Sequence, residues 1–112
     1  MRVIDLDRVY YLQASGNYTD FHYDDGSVRS ELMLLSDAMD AVEEVYARDP
    51  QANPFRRVGR SYAVHMGKVE SVNSRQGQLM FDSKAIAPLS FSKNLLKEAR
   101  QMLAGWIQSE QV

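Results

Sequence analysis

Between Phe55 and Val69 (FRRVGRSYAVHMGKV) four cations, Arg56, Arg57, Arg60 and Lys68, lie beside the hydroxyls of Ser61 and Tyr62. Guanidinium, ammonium and hydroxyl groups are the side-chain donors that hold phosphate oxygens, so the chemistry implied is recognition of a polyanion. Val58, Tyr62, Val64 and Val69 interleave with the cations as inward-facing anchors. They fix Arg56, Arg60 and Lys68 on an ordered segment, which a cation serving only solubility does not need. The plain alternative is a solvated loop rim, since Arg and Lys are common surface residues. Interleaving favours the binding surface.

Bond-breaking chemistry has little to stand on. With no cysteine, thiolate nucleophiles, disulfides and thiolate metal sites are excluded, and His22 and His65 are the only imidazoles. His65 follows Ser61 by four residues, but Arg60-Ser61-Tyr62 lacks the strained Gly-x-Ser-x-Gly frame of a hydrolase nucleophile. His22 lies in an alternating stretch and reads as a solvent-face residue. No glycine-rich loop cradles phosphates, and no enzyme activity, metal or cofactor is expected.

The net charge of −2 excludes coating of nucleic acid through bulk electrostatics. A local patch is the remaining route, and the charge is unevenly spread. Residues 1–26 carry two cations and five anions and residues 27–52 two and six, whereas residues 53–78 carry five and one and residues 79–112 four and three. The positive end of the molecule contains the Arg-rich stretch. Among the aromatics Tyr10, Tyr11, Tyr18, Phe21, Tyr23 and Tyr62, alternation makes about half of them core and leaves Tyr18, in a turn, as the exposed one. Stacking on single strands is therefore a weaker reading than grip on a duplex.

The elements that must position these groups are legible in part. Val3 to Ala14 reads as one or two strands, Ser15-Gly16-Asn17 as a reversal, and Thr19 to Tyr23 as a strand with Thr19, Phe21 and Tyr23 on one face. Asp24-Asp25-Gly26 predicts a hairpin turn, followed by a third strand over Ser27 to Leu32. Leu35, Ala38, Met39, Val42, Val45 and Tyr46 recur at helical spacing, predicting an amphipathic helix near 36–47 with Ser36 as its cap. Its acidic residues Asp37, Asp40, Glu43 and Glu44 form a solvated face that would repel a polyanion and so should point away from one.

After the loop Asp49 to Pro54, a short strand should run through Val58, with Gly59 allowing an unusual turn. Ser61 to Met66 fits either a helical turn or extended chain. Lys68 to Asn73 and Gln78 to Phe81 read as a hairpin, and Ala85 to Leu89 as an edge strand bearing Pro88. Phe91, Leu95, Ala99, Met102, Leu103, Trp106 and Ile107 predict a C-terminal helix near 91–107, capped by Ser90 or Ser92, with Ser109 to Val112 a frayed tail. At 112 residues the chain has room for one domain, spanning 1–112. No apolar run suits a membrane span or signal peptide, which leaves the cytoplasm as the default compartment.

Three landmarks occur in family order: VYYLQASGNYT over Val9 to Thr19, Asp25-Gly26, and an aromatic, an Arg-Val pair, Arg-Ser-Tyr and Lys-Val across Phe55 to Val69. In this order they resemble LytTR-type DNA-binding domains of bacterial transcriptional regulators, over roughly residues 3 to 97. The resemblance implies a mainly β fold with two helices, an elongated sandwich of small antiparallel sheets. Loops would enter successive major grooves of duplex DNA. By position the readers would be Asn17 or Tyr18, Arg60, and the Ser90 to Lys93 loop. Arg56 and Lys68, with neighbouring Arg57, would hold phosphates by charge and Ser61 by its hydroxyl. Gly59 stands where the family usually has His, and Ser90-Phe91-Ser92-Lys93 where it usually offers Ser-Arg-Arg. The resemblance also implies an output domain of a response regulator in a two-component system, joined upstream to a receiver or membrane segment. It allows a homodimer on repeated half-sites. The rival expectation is a module of the same fold that binds protein through Phe91, Trp106 and Ile107 and no longer touches DNA.

Overall fold

The computed structural model describes residues 3 to 110, with side chains described to residue 107. After a 3₁₀ turn at Leu6–Arg8 come strands β1 (Val9–Ser15), β2 (Tyr18–Tyr23) and β3 (Val28–Glu31), then helix α1 (Leu35–Val45). Strands β4 (Phe55–Val58) and β5 (Tyr62–His65) follow, then a 3₁₀ turn at Met66–Lys68, β6 (Val69–Asn73), β7 (Gln78–Phe81), β8 (Leu89–Ser90) and helix α2 (Lys93–Glu110). One sheet has the order β3-β2-β1-β5-β4 and the other β6-β7-β8, every pairing antiparallel. The mainly β fold with two helices and two small sheets is as expected. Its extents, 40 × 32 × 24 Å with a radius of gyration of 13.5 Å, are those of a compact globule, less elongated than expected.

The five-stranded sheet is covered on both faces. On one, Val9, Leu12, Phe21, Tyr23, Phe55 and Ala63 pack against Leu35, Ala38 and Val42 of α1. On the other, Tyr10, Tyr11, Val58 and Val64 meet Leu79, Phe81 and Leu89 of the small sheet and Leu96, Ala99 and Trp106 of α2. A bulge makes this possible. The β1–β2 register passes from Val9↔Tyr23 to Tyr11↔His22, so Tyr10 is the extra residue and joins Tyr11 in the inter-sheet core.

The second cover also corrects the reading of His22. The face carrying Thr19, Phe21 and Tyr23 is buried as alternation predicts, but the opposite face is only partly open to solvent. His22 is half-buried, its ring stacked on Tyr11 at 4.0 Å, and Phe81 stacks on the same Tyr11 ring at 5.6 Å. Burial lowers the His22 pKa.

The helices differ from expectation at their ends. α1 starts one residue early, at Leu35 after the extended Leu34, with no side-chain capping bond, so Ser36 lies inside the first turn and is no cap. It stops at Val45, and Val45 is exposed rather than part of the buried stripe. Ser92 does cap α2, its Oγ accepting the Leu95 N–H at 3.3 Å, while Ser90 belongs to β8. α2 runs to Glu110, past the expected end, and of the predicted frayed tail the last two residues lie outside the described residues. Ala85 to Ala87 stays off the ladder, and Leu89–Ser90 is the edge strand. Tyr62–His65 is extended, which settles the open choice for that segment.

Candidate nucleic-acid interface

Antiparallel registry brings distant parts of the chain to one end of the molecule. Ser15↔Tyr18 closes the β1–β2 turn, and Gln13↔Tyr62 with Val58↔Tyr62 places the β4–β5 turn beside it. The Ala14 N–H donates to the Ser61 carbonyl at 2.8 Å, binding the two turns together. Arg57 Nη2 donates to the Arg60 carbonyl at 2.9 Å and braces the second turn from within.

The small sheet delivers a third loop to the same place. The Phe91 N–H donates to the Gly77 carbonyl at 2.9 Å, and the Phe91 ring stands edge-on to Tyr62 at 5.3 Å. Gly59 makes the approach feasible: its φ is +67°, and a Cβ there would sit 3.1 Å from Leu95 Cδ1 on α2. A Cβ at this position would press on the tip of the Leu95 side chain, which would have to give by a few tenths of an ångström, and the positive φ itself favours glycine.

Seven of the expected contact residues are gathered and exposed at this end: Asn17, Tyr18, Arg60, Ser61, Ser90, Ser92 and Lys93. Tyr18 keeps 48% of its surface accessible. None of the three loops forms an ion pair among the described residues, where the pairs are those of Arg8 with Asp24 and Asp25. Their positive charge is uncompensated by contact carboxylates. α1, with exposed Asp37, Asp40, Glu43 and Glu44, packs on the face of the large sheet opposite α2.

The other three are placed differently. Arg56 Nη1 donates to the carbonyls of Asn53 at 2.6 Å and Phe55 at 3.0 Å, and its guanidinium lies 5.8 Å over Trp106. Arg57 is half-buried behind the turn it braces. Lys68 follows the far end of β5, its Nζ 5.5 Å over the Tyr10 ring, so the length of that strand separates it from Arg60. Nearby His65 has its pKa pushed down to about 4, by burial first and the Lys68 charge second.

Sequence reasoning passed over another set of cations. Arg75 in the β6–β7 turn and Lys97 and Arg100 on α2 line a groove that begins at Lys93. Lys93, Lys97 and Arg100 recur at steps of four and three, a helical spacing that was available as a signal. Among the described residues no cluster of His, Asp and Glu suits a metal ion, and no helix is long and apolar enough to cross a membrane.

Known proteins agree with this architecture. The solved LytTr DNA-binding domain of a protein described as a methyl-accepting/DNA response regulator from Bacillus cereus superposes with a TM-score of 0.60 at 14% identity, covering 89% of this chain and 84% of that one. No curated protein matches by sequence. The family model for the LytTr DNA-binding domain matches residues 1–104, nearly the whole chain, and the protein therefore belongs to the LytTR family of DNA-binding domains.

Proposed function

We propose that this domain binds duplex DNA sequence-specifically through the three loops at one end, as the output domain of a bacterial transcriptional regulator acting in the cytoplasm. One observation carries the reading. The β1–β2 turn, the β4–β5 turn and the β8–α2 loop converge there with Tyr18, Arg60, Ser61 and Lys93 exposed. The loops enter major grooves of the duplex, each about 12 Å wide and successive ones about 34 Å apart along the axis. Arg60 is the base reader, because its two-pronged guanidinium matches the O6 and N7 acceptors of guanine. Asn17 and Tyr18 read from the neighbouring turn. Ser61, Ser90, Ser92 and Lys93 hold phosphates or base edges without a fork.

The protein-interaction alternative loses most of its surface, since Trp106 is 8% exposed and Phe91 lies half-buried against Tyr62. Selection of bound sequences from a random duplex pool, followed by a salt titration on the selected site, tests the reading. Recovery of a defined sequence whose affinity falls steeply with salt is expected. A pool that yields no sequence refutes it.

A further inference from the structure

The groove of about 860 Å³ between the β6–β7 turn and α2 has four cations on its walls, Arg75, Lys93, Lys97 and Arg100, and no carboxylate. Ser74 and Gln76 line the turn side. Arg100 Nη1 donates to Ser74 Oγ at 3.2 Å, which joins the two walls and holds one guanidinium in place. Arg75, Lys93, Lys97 and Arg100 are all exposed.

We propose that this groove tracks the backbone phosphates of DNA flanking the sequence that the loops read. The inference rests on the reading of the domain as a duplex binder and extends its footprint along α2. Continuity supports it, because Lys93, the first residue of α2 directly after the β8–α2 loop, also lines the groove. So does spacing. From Lys93 to Arg100 the helix rises about 10 Å at 1.5 Å per residue, matching about three nucleotides of one strand at 3.4 Å each. Apart from Gly77, Leu96 and Ala104 the lining residues are cationic or neutral polar and none is acidic, which fits a phosphodiester chain. Contacts of this kind position a protein without specifying sequence.

The test uses the site selected from the pool, once as a bare core duplex and once with about one helical turn of ~10 bp added on each side. Wild type is compared with the Arg75→Gln, Lys97→Gln double variant. Both substitutions are at exposed positions, and melting curves verify that the variant is folded. On the flanked duplex the slope of log affinity against log salt should fall by roughly 2, about 0.9 for each lost phosphate contact. On the bare core the slope should stay the same, and base preference should stay the same on both. Equal losses on the two duplexes, a changed base preference, or no loss on the flanked duplex would overturn the groove proposal while leaving the duplex-binding reading in place. A wild type that binds no duplex overturns that reading, and the groove proposal with it.

Discussion

Phe91 meets Tyr62 edge-on, ring centroids 5.3 Å apart and planes at 87°, and this pair couples the loop of the small sheet to the first residue of β5. Neither residue is charged, yet the pair decides where the charged loops stand. Tyr62 is fixed in turn by Gln13, whose Nε2 donates to the Tyr62 hydroxyl at 3.3 Å. The relative position of the β4–β5 turn and the β8–α2 loop is therefore set by packing.

Phe91→Ala should cost about 2 kcal/mol of stability, since an edge-on pair contributes about 0.5–1.5 kcal/mol beyond area burial and the ring is only half-buried. DNA affinity should fall as well at a temperature where the variant remains fully folded, because its third loop has lost a mooring. Chemical denaturation and binding to the selected duplex check the two effects separately. Unchanged affinity would mean that the loop keeps its place without the ring.

Arg60 and Lys68 lie at opposite ends of β5 and should behave differently on DNA. Arg60→Ala should cost about 1–3 kcal/mol on the selected site and relax preference at one base position. Lys68→Ala should leave affinity and its salt dependence unchanged, as its ammonium sits over Tyr10 away from the loops. Titrations of both variants on the selected site and its single-base derivatives decide the assignment. A salt slope lowered by about one in Lys68→Ala would return that lysine to the phosphate contacts.

His65 gives the fold a pH dependence with a definite sign. Its folded pKa, about 4, lies below the ordinary value of about 6.5, so the folded state holds the neutral ring. Above the unfolded pKa both states are neutral and this contribution is fully present. As the pH falls from about 6.5 toward 4, the unfolded chain takes up a proton that the folded chain refuses, and stability declines by on the order of 3 kcal/mol. Urea denaturation at about pH 7.5 and 4.5 should show a smaller decline in His65→Gln than in wild type, with carboxylate contributions common to both. Equal declines would show that the ring is not held neutral.

Local signals located most elements, and tertiary placement decided what they missed. Alternation around Phe21 predicted the buried face of β2, and Asp25-Gly26 predicted the turn into β3, because both depend on neighbours in sequence. The cover over the His22 face escapes a local reading because it is completed by Phe81, far along the chain, stacked on Tyr11 of the neighbouring strand. The bulge at Tyr10 was invisible for a related reason: period-two reading cannot mark an inserted residue. Within the Arg-rich stretch the charge was legible but its direction was not. Arg56 turns back to the carbonyls of Asn53 and Phe55, whereas Arg60 leaves a tight turn at Gly59 and stays exposed.

Ser92 stands at both the helix end and the proposed DNA surface, and two substitutions should separate its roles. Its Oγ accepts the Leu95 N–H at 3.3 Å, so Ser92→Ala should lose the cap and about 1 kcal/mol, lowering the melting temperature by roughly 4 °C in a domain of this size. DNA binding by the folded Ala variant should fall only modestly, by about 0.5–1.5 kcal/mol for one neutral hydroxyl contact, because no charge has moved. Asp is an equally good cap and its carboxylate suits the positive end of the helix, so Ser92→Asp should keep the melting temperature or raise it slightly. The same carboxylate would face phosphate beside Lys93, and affinity should drop at least tenfold, about 1.4 kcal/mol, at low salt. Raising the salt should narrow the gap between Asp variant and wild type, as screening weakens a repulsion between exposed charges. Melting and salt-dependent binding of the two variants therefore report on different atoms of one loop. If Ser92→Asp bound as tightly as wild type at low salt, the β8–α2 loop would not face DNA, and only the two turns of the large sheet would remain as readers.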